Sequence, residues 1–98
     1  MKFKQLMIDS YKKYLEGKNI IGYLYNPISN VNFSSFSNLE DFEAYINKFN
    51  PDMLYLKSLL TDAEVDVYES NFIDYKIKHS ETTIYIKLNN KPEIGIMY

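Results

Sequence analysis

The chain has 98 residues, 46% of them apolar and 24% charged, with no Cys and a formal net charge of −2. That is one soluble domain with a modest core, since domains run to about 50–250 residues. The missing Cys excludes disulfide scaffolds, Cys-ligated zinc, iron–sulfur clusters and thiol nucleophiles together. All positive charge is Lys, without a single Arg, which removes the guanidinium fork that reads phosphate and guanine edges and disfavours sequence-specific DNA reading.

In chain order, Phe3, Leu6, Met7, Ser10, Tyr11, Tyr14 and Leu15 recur at helical spacing and predict a first helix over 2–16, ended by Gly17. Asn19 to Tyr25 reads as a short strand that joins a sheet at its edge and stops at Asn26-Pro27. Asn26 to Ser37 has no periodicity and reads as a loop presenting Phe33 and Phe36, with Asn32 beside them. Ser37 with Glu40 makes a capping box for a second helix carrying Leu39, Phe42, Ile46 and Phe49. Asn50-Pro51-Asp52 reads as the start of a third helix over Met53–Leu60, with a buried strand as the alternative.

Beyond Asp62 the period becomes two. Val65 and Val67; Ile73, Tyr75 and Ile77; Ile84, Ile86 and Leu88; and Ile94, Ile96 and Tyr98 alternate with polar neighbours, as in half-buried strands. A turn at Ser80-Glu81 pairs Ile77 with Ile84, Tyr75 with Ile86 and Ile73 with Leu88. Charge matching in the preceding hairpin then sets Asp66 opposite Lys76 and Glu64 opposite Lys78, with Ser70–Phe72 as the loop. The expected fold is two-layer α+β, in the order α-β-α-α-β-β-β-β, with helices on one face of a mainly antiparallel sheet.

Charge is unevenly spread. Residues 40–74 hold nine carboxylates against Lys48 and Lys57, whereas 19–39 hold none. This acidic block, with Glu40, Asp41, Glu43, Asp62, Glu64, Asp66 and Glu69 as its candidate contacts, together with Asn32, Phe33 and Phe36, suggests a surface for a basic partner. His79 is the only histidine and lies at a turn beside Ser80, without an orienting acid, so no catalytic site is expected. Asp62, Glu64 and Asp66 alternate as a cation site could, but lack the glycine and ligand density of a calcium loop. Three scattered glycines leave no phosphate-cradling loop, so no cofactor or metal is expected. No apolar run of about 7–15 residues follows the first lysines, which points to the cytoplasm, and no stretch suits a bilayer.

The expected function is a small non-enzymatic protein-binding module that masks a basic nucleic-acid-handling protein. In size, AT-rich residue bias and lack of a site, it is similar in kind to phage and mobile-element inhibitors, anti-CRISPR and other anti-defence proteins included. One alternative is single-stranded nucleic-acid binding on an outer sheet face bearing Tyr68, Lys76, Lys78, Tyr85 and Lys87. Another is a toxin-neutralising immunity protein.

Overall fold

Helix α1 (Lys2–Leu15) forms where the spacing places it, with Phe3, Leu6, Met7, Ser10 and Tyr11 buried along one stripe. The structure is a computed structural model and describes residues 2–98. Past the end of α1, Gly17 adopts φ 77°, the left-handed region open to glycine. Helix α2 (Leu39–Phe49) begins with a different cap from the expected one. Asn38, not Ser37, is the N-cap, and its side chain accepts from the Asp41 N–H at 2.8 Å.

Among the described residues seven strands build two antiparallel sheets, confirming the α+β class. The larger runs β2 (Asn30–Asn32), β1 (Ile20–Tyr25), β3 (Met53–Ser58), β4 (Glu64–Tyr68); the smaller is a meander of β5 (Phe72–Lys78), β6 (Thr83–Leu88) and β7 (Ile94–Met97). The expected third helix over Met53–Leu60 is strand β3. Asn50 sits in the left-handed region at φ 45° as the C-cap of α2, so it is not available to open another helix. Leu54, Leu56 and Ser58 then point inward while Tyr55 and Lys57 point out. β1 is correspondingly an interior strand, flanked by β2 and β3, rather than an edge.

The expected continuous meander is broken between β4 and β5. β4 pairs with β3 and β5 with β6, so the Asp66–Lys76 and Glu64–Lys78 pairs do not form. A tight turn redirects the chain: the Asn71 side chain accepts from the Tyr68 N–H at 2.9 Å, and the Asn71 N–H donates to the Tyr68 carbonyl at 3.0 Å. The β5–β6 register matches expectation at Ile77–Ile84 and Tyr75–Ile86, and on the outer face sets Lys76 opposite Tyr85 and Asp74 opposite Lys87. A bulge at Ile73 then places Phe72 opposite Leu88 and leaves Ile73 exposed. Phe72 gains the Phe3 ring, 5.7 Å away between centroids, in exchange. On the other side, β6 meets β7 through Ile84–Ile96 and Ile86–Ile94.

The inner faces of both sheets share one core with α1 and α2, in which Leu24, Leu54, Leu56, Val65 and Val67 meet Ile84, Ile86 and Ile96. No helix among the described residues is long and apolar enough to cross a membrane.

Candidate functional site

The strand period decides which side chains leave the core. In β4, Val65 and Val67 are buried, so Glu64, Asp66 and Tyr68 project from the opposite face. Leu24 and Leu56 face inward in the same way and turn Tyr23, Tyr25 and Tyr55 outward. Register aligns these residues into rows across the larger sheet. Asn32, Tyr23, Tyr55 and Asp66 form one row, and Asn30, Tyr25, Met53 and Tyr68 form the next. The Tyr23 and Tyr55 rings stack with centroids 4.6 Å apart. The result is a tyrosine-rich, acidic sheet face turned away from the helices.

Tyr55 donates its hydroxyl to Glu64 Oε2 at 2.6 Å. That bond, with burial next in weight, pushes the Tyr55 phenol up to about 12. Burial, then the Asp66 charge, also lifts Tyr23 above its ordinary value. A phenol raised on folding contributes stability that is complete below its unfolded pKa and is lost as pH climbs through the folded value. Thermal melts of the Tyr55→Phe chain are therefore expected to vary less with pH between about 10 and about 12 than those of the parent. An equally steep profile would count against this bond as the source.

At the edge of the sheet, where β2 ends, a hollow of about 320 Å³ opens beside the stacked pair, walled by Tyr14, Tyr23, Phe33 and Tyr55 with Asn32 and Ser34 at its polar side. Nearby, the Asn26 side chain accepts from the N–H groups of Ile28 and Ser29, both at 2.9 Å, fixing a turn that leaves Ile28 94% exposed. Ser29 in turn bonds the Tyr45 hydroxyl of α2 at 3.0 Å.

The expected acidic block divides in two. Glu64 and Asp66 lie on the tyrosine face, with Asp62 and Glu69 just beyond the two ends of β4. Glu40, Asp41 and Glu43 lie on α2, which belongs to the layer on the other side of the sheet. Phe33 does not present itself to a partner. It is 1% exposed, because the 3-10 turn Phe33–Ser35 folds it against Tyr11 and Phe42, and Phe36 is half-buried in the same cluster. Asn32 is exposed at the rim of the hollow. The sequence reading missed Tyr23, Tyr25 and Tyr55. Their signal was the alternation of tyrosine with Gly22 and Leu24, and of Tyr55 with Leu54 and Leu56.

The five-residue nucleic-acid platform does not assemble, because Tyr68 belongs to the larger sheet and the lysines to the smaller. Lys76 and Lys78 lie 5.7 and 5.4 Å from the Tyr85 ring centroid, and Lys78 pairs with Glu81 at 3.5 Å. A hydrogen bond from the Tyr85 hydroxyl holds the Glu81 carboxyl below its ordinary value. Lys2 does the same to Asp74 through a 3.1 Å contact. His79 is exposed in the turn His79–Glu81. Among the described residues no three His, Asp or Glu side chains gather as metal ligands would. Compared with protein-family models, with curated proteins and with solved structures, the chain finds no match.

Proposed function

We propose that the protein is a non-enzymatic binding module whose tyrosine-rich acidic sheet face covers a basic surface on another protein. One observation carries this reading. Glu64 and Asp66 project beside Tyr23, Tyr25, Tyr55 and Tyr68 on a face no helix covers, and among the described residues neither carboxylate has a Lys ion pair. Tyrosine supplies contact area with a polar tip at low rotamer cost, as binding surfaces require. Carboxylates beside it select a Lys- and Arg-rich partner and steer the encounter. Surfaces of that kind occur on proteins that handle nucleic acid, so masking one inhibits it. Assignment to the mobile-element, anti-CRISPR or other anti-defence class rests on size and composition alone. An immunity protein acting on a basic toxin would use the same physics.

Capture from lysate by the chain bearing Glu64→Lys, Asp66→Lys and Glu69→Lys, against one bearing Glu40→Lys, Asp41→Lys and Glu43→Lys, tests the reading. The sheet variant is expected to lose the proteins the parent retains, and the helix variant to keep them. Retention unaffected by the sheet substitutions would overturn the proposal.

One observation favours a second reading. With β4 and β5 unpaired, the Asp66 and Glu64 partners expected for Lys76 and Lys78 are absent; Lys78 pairs with Glu81 instead, while Lys76 makes no ion pair among the described residues and lies over the Tyr85 ring. Filter binding of single strands that weakens steeply with salt would support nucleic-acid binding on the outer face of the smaller sheet.

A further inference from the structure

The hollow beside Tyr23 and Tyr55 is not needed by the fold as described. Its walls come from four elements: Tyr14 at the end of α1, Tyr23 and Tyr55 from the adjacent strands β1 and β3, and the turn after β2, whose Phe33 ring is buried behind them and supports the wall, with Ile21 and Gly22 completing the lining. Phe33 and Tyr14 brace each other at 5.8 Å between centroids, and Tyr23 and Tyr55 at 4.6 Å. Asn32 and Ser34 add polar atoms at the rim. Negative charge stands next to the aromatic walls. Glu64 is held against the Tyr55 hydroxyl, and Asp66 lies directly opposite Tyr55 in the sheet.

Aromatic ring faces backed by carboxylates attract cations, and the attraction grows as water is excluded. We propose that this hollow is a socket for one arginine side chain of the basic partner. The inference rests on the binding face argued above and names the group that anchors to it. A guanidinium suits the site better than an ammonium. It is flat enough to lie along a tyrosine ring, less strongly hydrated, and carries in-plane donors for Asn32 and Ser34, with the Glu64 charge held behind Tyr55. The volume of about 320 Å³ holds a single long side chain and no folded element. Within the chain the nearest cation in register is Lys57, opposite Glu64 and Ile21, and it makes no ion pair among the described residues. The protein has no Arg of its own to fill the space.

The probe is N-acetyl-arginine amide, titrated into the full chain and followed by backbone amide NMR shifts, with the citrulline and lysine counterparts in parallel. Citrulline keeps the shape of arginine and removes its charge. The arginine compound is expected to give saturable shifts at Gly22, Tyr23, Asn32 and Ser34, with at least about tenfold weaker binding of citrulline. Glu64→Gln, which keeps an acceptor for Tyr55, and Tyr23→Leu are each expected to weaken arginine by about tenfold. Equal binding of citrulline or of lysine would overturn the proposal. So would shifts that fail to saturate and spread over Glu40, Asp41 and Glu43. The probe needs no partner, so its failure is separable from that of the binding face, which the charge-reversal capture decides.

Discussion

Replacing Phe42 with Ala is expected to destabilise the domain by about 4 kcal/mol, a large part of the roughly 5–15 kcal/mol that holds a domain of this size together. The expectation follows from how α2 is attached. Only Phe42 and Ile46 are fully buried among its eleven residues, so Phe42 is half of that buried anchor. Its ring stacks on Tyr11 at 4.2 Å and 4°, and meets Phe33 and Phe36 edge-on at 5.7 and 5.1 Å. Tyr11 in turn donates its hydroxyl to the Phe36 carbonyl at 3.3 Å. One ring therefore joins α1, the turn after β2 and α2, and truncating it leaves a cavity that three elements border. Phe42→Leu, which keeps most of the volume, is expected to cost about half as much. Urea unfolding measures both through the midpoint, provided the slope is unchanged. A loss below about 2 kcal/mol for the Ala chain would mean that α2 is held by something other than this cluster.

Both helices and most inward-facing strand positions were legible in the sequence, because burial on one side imposes a period that can be read directly. Phe3, Leu6, Met7 and Tyr11 have it at helical spacing, Val65 with Val67 and Ile84 with Ile86 at two. What could not be read is which strands become neighbours. Pairing Asp66 with Lys76 satisfied charge and parity, yet the Tyr68–Asn71 turn sends β5 into a second sheet, and nothing in the alternation of either strand records this. Met53–Ser58 failed for another reason. Met53, Leu54 and Leu56 fit both periods, and only the place between β1 and β4 decides between them. The candidate site was half visible for the same cause. Glu64 and Asp66 were identified by charge, but the tyrosines that flank them come from strands whose pairing was unknown. The acidic block looked continuous in sequence because it contains both α2 and β4, which the fold sets on different layers.

Gly22→Ala is expected to cost about 3 kcal/mol, lowering the melting temperature by roughly 15 °C for a domain of this length. A methyl group there would stand 2.6 Å from the Tyr55 carbonyl oxygen and 2.9 Å from two carbons of the Phe33 ring. The ring can yield by turning; the carbonyl belongs to the backbone of the neighbouring strand and can yield only by moving β1 from β3. Gly95→Ala is the matched control. Its methyl group would meet the Thr83 methyl at 3.1 Å and the Tyr85 ring at 3.2 Å, both side chains, so about 1 kcal/mol is expected. Pairing Gly22→Ala with Phe33→Leu separates the two clashes. The double variant is expected to be more stable than additivity predicts by about 1 kcal/mol, the share of the ring, with the carbonyl clash left in place. Because Gly22, Phe33 and Tyr55 also border the hollow, the same displacement deforms the proposed arginine socket. Below its melting temperature the Gly22→Ala chain should therefore remain folded yet lose the arginine-dependent NMR shifts, while Gly95→Ala keeps them. If Gly22→Ala melted within about 2 °C of the parent, the tight approach of β1 to Phe33 and Tyr55 would be disproved.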